Sequence, residues 1–551
     1  MKKDVFTFLV GGKAGEGVRR AGSVAARLFA NMKRQVFNMD DYQSLIKGGH
    51  NFSVISTATR EIRSQYNKAD LVVALDKRSY ELHKEDLTDE GILVYNSDTL
   101  TDVKGVGVAL TEEAKKYPNP NLRLGVGAVA AMAAAIGCEK GCLKRIMEKE
   151  YPRDIENNVA YAMTIYDLVN PKIGGKFHLD EGEKERPILS GNEAIALGAA
   201  AAGLDVYFAY PMTPSSSVLH TLAAHSENFS LVAVHPENEI AVANMAIGSV
   251  FAGAKAMVGS SGGGFALMEE AFSLAGMVEA PLLCYLGSRP GPSTGVPTYT
   301  SQGDLFFALH QGHGEFPRIV ASPGSIEEAF YLAAEMLDIL WRFQTPGILL
   351  TEKHLAESRM TVDIDVNKAK LPEPLMHKTG EYKRYLDTEN GVSPLLFPPS
   401  KELIKWDSYE HDESGITTED PETITRMQDK RSKKTKAIIE HLKSLHTVNV
   451  FGDKGPVILT YGSTAMSVLE ALKAGNIEAT VVQPVYLEPL PFWELEKYRK
   501  DKVIVVEQSC TGQFAALLKE KIGIESKAVI KKYDGRPFDP QELALKIKEE
   551  A

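Results

Sequence analysis

Again and again along these 551 residues a short apolar strand runs into a loop of glycine, proline or hydroxyl side chains, and then into a helix of small residues. A strand followed by a helix does not turn straight back as a hairpin, so this order predicts parallel strands with helical crossovers. The first instance is VFTFLV, then GGKAGEGV, then a helix rich in Ala, Val and Leu through Ala30. LVVALD from Leu71 and ILVYNS from Ile92 continue it, alternating with helical stretches such as the alanine-rich VGAVAAMAAAIG. A first α/β domain with a largely parallel sheet is therefore expected over residues 1–171, ending near Pro171. Residues 172–187, KIGGKFHLDEGEKERP, are charged and without apolar period, which reads as a linker.

A second α/β domain is expected over 188–362. It opens with the small-residue helix GNEAIALGAAAAG, the strand DVYFAY and the loop PMTPSSS, and closes on the strand GILLTEK before His354. Residues 363–454 are polar and proline-containing, with one helical segment, TITRMQDKRSKKTKAIIEHLKSL; so long a stretch is rarely structureless, and it reads as an arm or connector. A third α/β unit, 455–551, carries PVILTYGST, ATVVQPVYL and KVIVVEQS followed by the helix GQFAALLKEKIG. Three α/β domains with mainly parallel sheets agree with a length that allows about three or four.

Composition narrows the function. No apolar run reaches the ~20 residues of a membrane helix, and no signal-type segment opens the chain, so a cytoplasmic protein is expected. With 62 basic and 73 acidic residues the net charge is −11, which repels phosphate backbones, and Lys and Arg do not cluster with aromatics; nucleic acid is not an expected partner. The cysteines Cys138, Cys142, Cys284 and Cys510 are too few and too scattered for a disulfide framework or an iron–sulfur cluster. Cys138 and Cys142 stand one helical turn apart, where small packing residues are the ordinary reading and a metal role the alternative. No metal site is expected.

Four loops carry candidate chemistry. Gly11, Gly12, Gly15 and Gly17 do not fall in G-x-G-x-x-G register, because the frame from Gly15 has Arg20 in place of the third glycine. A dinucleotide site with Asp40 or Asp41 as ribose acid, a plain tight turn, and an anion contact from Gly12, Gly15 and Gly17 at the helix N-terminus all remain open. In Tyr210-Pro211-Met212-Thr213-Pro214 the Thr-Pro pair predicts Thr213 at an N-cap and Pro214 at the first helical position, at a strand end where α/β sheets bind ligands. Glu237 and Glu239 open a helix whose Ala241, Ala243, Ala246 and Gly248 admit a close neighbour; they favour the dipole, and a buried one could hydrogen-bond a cofactor ring. Arg289 lies in the glycine- and proline-rich GSRPGPSTGVPT, where its fork suits either solvent or a carboxylate. No Ser/His/Asp elbow or metal-spaced His cluster competes.

In this order, YPMTPSS, PENEIAVANMAIG, KAMVGSSGGGFALM and GSRPGPSTGVPTYTSQGDL resemble the α subunit of 2-oxoacid:ferredoxin oxidoreductases. EYKRYLDTENGVSP and EHDESGITTEDPE resemble the same family's arm. Residues 455–551 are similar to its transketolase C-terminal-like domain. Residues 1–171, with GGKAGEGV and YQSLIKGGHNFSVIS, are similar to its γ subunit, here fused ahead of α. Met212 replaces the usual Ile and Lys47 the usual Arg.

The resemblance implies a thiamine-diphosphate pyrimidine-binding-type domain over 188–362 and coenzyme A-dependent oxidative decarboxylation of a 2-oxoacid, with electrons passed to ferredoxin. Glu239 matches the carboxylate that works on the aminopyrimidine, with Pro211, Met212 and Thr213 lining thiamine diphosphate. Thr213 and Arg289 match the residues that hold the substrate carboxylate, while Gly12, Gly15 and Gly17 are candidate contacts to a coenzyme A phosphate. The diphosphate site, its Mg2+ and the iron–sulfur cluster belong to a β subunit in an (αβ)2 assembly. A regulatory subunit without chemistry is the rival class, opposed by the retention of Thr213, Glu239 and Arg289. A self-sufficient thiamine enzyme would need a G-D-G followed by Asn, which the sequence lacks.

Overall fold

The strands Gln35–Asp41 and His50–Ala58 are joined by too short a segment for a crossover helix, so they pair antiparallel, Gln35 opposite Ala58 and Asp41 opposite Phe52. The second of them also pairs antiparallel with Phe6–Lys13. On its other side Phe6–Lys13 runs parallel to Ala69–Ala74, and parallel pairing continues through Leu87–Asn96 to Val106–Val108. The first sheet, eight strands, is therefore mixed rather than largely parallel, a correction to the sequence reading. The strands Gln35–Asp41 and His50–Ala58 bury Asn38, Asp40, Asp41, His50, Ser53 and Ser56, polar residues that mask the strand pattern in the sequence.

The structure, a computed structural model, describes residues 1–44 and 49–551; Lys47 lies outside them. The chain forms two units, one of Met1–Leu189, Glu357–Asp363 and Asp539–Glu542, the other of Ser190–Ala356, Ile364–Phe538 and Leu543–Ala551. In the first, the helices Val18–Asn31 and Pro120–Ala135 pack on the sheet, the latter burying residues from Arg123 to Ala135 on all sides. Its closing helix, Ile155–Ile173, runs through Pro171. Residues 172–187 run along this unit, with the Phe177 amide on the Ala135 carbonyl at 3.0 Å and the Gly182 amide on that of Met32 at 3.0 Å.

The second unit holds two sheets. The seven-stranded sheet runs in the order Tyr486–Glu488, Ile319–Ala321, Gly347–Glu352, Leu283–Ser288, Ala256–Ser260, Val206–Ala209, Val232–Val234. All neighbours are parallel except the first pair. The five-stranded sheet, Val448–Phe451, Thr480–Pro484, Val457–Leu459, Val503–Glu507, Ser526–Lys531, is likewise parallel apart from its first pair. With three α/β sheets whose pairings are mostly parallel, the expected class holds. Among the described residues no helix is long and apolar enough to cross a membrane.

The polar arm is anchored by charge. Its helix Pro421–Leu442, capped by Asp420 on the Thr423 amide, sends Lys430 and Lys434 into the interior, where both meet Glu279. Arg384 joins them, donating to the Val278 and Glu279 carbonyls at 3.0 Å each. Three buried cations thus share one buried carboxylate. Burial opposes ionisation of Glu279, yet the lysines and Arg384 hold it far below the carboxylate range, while burial pushes Lys434 down to about 7. Glu279→Gln, which strands the cations, is expected to destabilise this unit by about 3–5 kcal/mol in guanidinium unfolding. Lys434→Met, which removes an excess charge, is expected to cost less than about 1.5 kcal/mol; equal losses would refute the cluster's charge balance.

Candidate active site

Parallel strands of one sheet end on one side, and the loops that follow them converge there. The loop Tyr210–Ser215 follows Val206–Ala209, Glu237–Glu239 follows Val232–Val234, Ser261–Gly264 follows Ala256–Ser260, and Arg289 follows Leu283–Ser288. The seven-stranded sheet therefore brings Thr213, Glu239 and Arg289 to one edge of the second unit. Gly12, Gly15 and Gly17 belong to the first unit.

Glu239 is the first residue of the helix Glu239–Phe251, whose Asn238 caps it by accepting the Ala241 amide at 2.9 Å. Its carboxylate is 3% exposed and accepts the Ser260 hydroxyl at 3.3 Å, whereas Glu237 is exposed. Gly264 packs directly on this pair: a Cβ there would lie 2.1 Å from both Glu239 Oε1 and Ser260 Oγ. The next hydroxyl, Ser261 Oγ, is buried and among the described residues has no hydrogen-bond partner. Met212 closes the other side, its sulfur 3.9 Å from where a Cβ of Gly263 would stand.

The Thr213 loop departs from the expected cap. The Met212 carbonyl accepts both the Ser215 amide at 2.9 Å and the Ser215 hydroxyl at 2.8 Å, closing a turn before the helix Ser216–Ala224 begins. Ser215, not Thr213, holds the cap position, so Pro214 is not the first helical residue. The Thr213 hydroxyl is left for other work. Beneath the loop, Asn192 donates to the Pro214 carbonyl at 2.7 Å and accepts Tyr285 Oη, which Thr351 Oγ1 reaches at 3.0 Å. That buried chain pins the loop to the sheet. Arg289 Nη1 donates to the Thr213 carbonyl at 2.8 Å, so the two sit side by side. Burial pushes the Arg289 guanidinium below its ordinary value, against the pull of Asp304. Asp304, which the sequence reading missed, accepts the Ser288 hydroxyl at 2.8 Å, and burial pushes its carboxyl up despite Ser288 and Arg289.

The glycine loop of the first unit is filled by its own acid. Glu16 accepts the Lys13 amide at 2.8 Å and stands 2.6 Å from where a Cβ of Gly12 would lie, while a Cβ of Gly17 would lie 3.0 Å from the Leu122 carbonyl. Gly15 faces open space. Burial raises Glu16, with the Lys13 amide opposing it. Asp40, one of the two candidate ribose acids, is already paired with Arg359 at 2.9 Å and Arg19 at 3.4 Å. Burial and its neighbour Cys142 push the Cys138 thiol up to about 12; Cys284 is buried and Cys510 exposed. Among the described residues no group of three or more His, Cys, Asp or Glu side chains could hold a metal.

The family model described as "Pyruvate flavodoxin/ferredoxin oxidoreductase, thiamine diP-bdg" matches residues 197–430, and that described as "Pyruvate ferredoxin/flavodoxin oxidoreductase" matches residues 7–168. The 2-oxoacid:ferredoxin oxidoreductase subunit alpha of a Sulfolobus species is 30% identical over 98% of this chain and 95% of its own. The 2-oxoglutarate synthase subunit KorA of Archaeoglobus fulgidus is 31% identical over 60% of this chain and 89% of its own. A solved 2-oxoglutarate:ferredoxin oxidoreductase from Magnetococcus marinus, with 2-oxoglutarate, coenzyme A and succinyl-CoA bound, superposes with a TM-score of 0.91 at 27% identity, covering 100% of both chains. The chain belongs to the 2-oxoacid:ferredoxin oxidoreductase α-subunit family.

Gly264→Ala is expected to drive Glu239 and Ser260 apart and cost about 1–3 kcal/mol of stability, because backbone and carboxylate cannot both yield. Gly263→Ala, with only an ordinary contact to Met212, is expected to be neutral or stabilising by up to about 1 kcal/mol. Thermal unfolding of the two variants checks this, and equal stability would deny the close packing at Glu239.

Proposed function

We propose that this chain is the α subunit, with a fused N-terminal γ domain, of a 2-oxoacid:ferredoxin oxidoreductase that converts a 2-oxoacid and coenzyme A to acyl-coenzyme A and CO2. The observation that carries the reading is Glu239, a buried carboxylate with one hydroxyl partner, facing Gly264 and the orphaned Ser261 hydroxyl. An acid in an apolar recess with polar atoms left over fits a heteroaromatic ring that both donates and accepts hydrogen bonds. The residues present therefore fit the aminopyrimidine of thiamine diphosphate, with Pro211, Met212 and Thr213 along its side and Glu239 on its ring nitrogen. Thiamine diphosphate, when bound, supplies the nucleophilic carbon and the electron sink that decarboxylation of a 2-oxoacid requires. Glu239 holds and returns a proton at the ring nitrogen.

Arg289 holds the substrate carboxylate with its charged fork, and Thr213 adds a neutral hydrogen bond to the same group. Arg289 is half-buried, and that burial pushes its guanidinium below its ordinary value against the pull of Asp304. Coenzyme A takes the acyl group, and the two electrons leave singly for ferredoxin. The diphosphate, its Mg2+ and an iron–sulfur cluster sit in a β subunit of an (αβ)2 complex. Exposed apolar side chains on the two helices that start at the site, Ile240 at 53% and Met245 at 45% on Glu239–Phe251 and Leu267 at 52% on Gly262–Leu267, support completion of the site by a second polypeptide. A coenzyme A phosphate contact at Gly12, Gly15 and Gly17 is not part of the proposal, because Glu16 puts a carboxylate in that loop.

In the assembled complex, Glu239→Gln is expected to leave assembly intact and lower kcat by about 100-fold or more, the range of a lost general acid–base. Arg289→Ala is expected to lower kcat/KM by about one to two orders of magnitude for every 2-oxoacid tested, and Thr213→Ala by less, as charged hydrogen bonds outweigh neutral ones. Steady-state kinetics with pyruvate and 2-oxoglutarate checks both. A loss confined to one substrate would move Arg289 from the shared carboxylate to the substrate's far end.

A further inference from the structure

Asp304 occupies the N-cap position of the helix Leu305–Leu309, yet its side chain makes no cap bond. An aspartate there ordinarily accepts an amide of the first turn. In this chain Gln513 takes that amide instead: its Oε1 accepts from the Phe306 backbone at 3.0 Å, and its Nε2 donates to the Gly303 carbonyl at 2.8 Å. Gln513 begins the helix that follows Val503–Glu507 of the five-stranded sheet, so a side chain from that sheet grips the backbone on both sides of Asp304. The preceding residue pair is held the same way. Gln302 donates to the Tyr461 carbonyl at 2.9 Å and accepts the Thr464 hydroxyl at 2.9 Å and the Gln508 amide at 2.8 Å.

Relieved of capping, the Asp304 carboxylate turns inward. It accepts Ser288 Oγ at 2.8 Å, one residue before Arg289, and it lies 3.0 Å from where a Cβ of Gly262 would stand. The Ser288 bond fixes this anion one residue from Arg289, where its charge favours the charged guanidinium against the opposing effect of burial. Arg289 is fixed at one nitrogen, by the Thr213 carbonyl, and about that bond a long side chain can still swing. A fixed anion nearby selects one orientation of the guanidinium plane. The carboxylate is half-buried, and among the described residues the one hydrogen bond its side chain makes is from the Ser288 hydroxyl, so its place is set by the loop that carries Arg289.

We propose that Asp304 is the positioning residue of Arg289, aiming its fork at the substrate carboxylate, and that Gln513 frees Asp304 for that task by capping the helix in its place. The proposal rests on the reading of Arg289 as the carboxylate anchor. It assigns a function to the five-stranded sheet: its loops set the geometry of the 2-oxoacid site.

The test is a double-mutant cycle in the assembled complex. Asp304→Asn keeps an acceptor for Ser288 and removes the charge, so it should fold. It is expected to raise KM for 2-oxoacids about tenfold with kcat within about twofold, and to add nothing in the Arg289→Ala background. Asp304→Glu should recover part of the loss, and Gln513→Ala should raise KM in the same direction by less. An Asp304→Asn penalty that persists undiminished without Arg289 would overturn the positioning role while leaving Arg289 as anchor. A fall in KM would overturn it too, showing that Asp304 repels the substrate instead. If Arg289→Ala itself left KM and kcat unchanged, the anchor reading would fail and the positioning role with it.

Discussion

The Glu239 carboxylate is buried at the start of a helix with a single hydroxyl for company, and no lysine or arginine pairs with it among the described residues. Such a group is held by packing and by the helix N-terminus, not by a countercharge. The surroundings follow from that need. Gly264 has no side chain because any carbon there would strike the carboxylate, Ser260 supplies the hydrogen bond from a strand end, and Asn238 rather than Glu239 does the capping.

Charge is handled differently a few residues away. Arg289 donates to the Thr213 carbonyl, while Asp304 accepts the hydroxyl of Ser288, one residue before Arg289, and packs on Gly262 at the start of the helix Gly262–Leu267. Their loops are tied to separate sheets of the same unit, Arg289 to the end of Leu283–Ser288 and Asp304 to the five-stranded sheet through Gln302 and Gln513. A compressed or displaced five-stranded sheet would therefore be felt at the guanidinium. The arm adds a second fastening. The Glu279 cluster ties the helix Pro421–Leu442 to the turn that ends the helix Glu269–Met277, so buried ions join the buried Met427, Ile438 and Leu442 in ordering the polar stretch.

Much of this could be read from the sequence. Strand–loop–helix order gave the three sheets and put Thr213, Glu239 and Arg289 at strand ends, since local pattern and parallel topology agree there. Three features escaped. The hairpin of Gln35–Asp41 and His50–Ala58 was hidden because its strands carry Asn, Asp, His and Ser on positions that the mixed sheet nonetheless buries. Thr213-Pro214 has the signature of a cap, but the Met212–Ser215 turn shifts the helix start, and Asn192, in the preceding helix, holds the Pro214 carbonyl within that turn. Asp304 in SQGDL looks like an ordinary turn or cap acid; only the arrival of Gln513, some two hundred positions later, turns it toward Arg289. Local chemistry reveals what a residue can do, and long-range partners decide which of those things it does.

The central claim is that this chain holds half of an active site. The most direct measurement is dye reduction by the purified chain, alone and with the polypeptide that copurifies with it, followed alongside the visible spectrum. The account predicts a colourless, inactive single chain, and a coloured complex that reduces viologen only when both a 2-oxoacid and coenzyme A are present. Reduction of viologen by the single chain under the same conditions would contradict it.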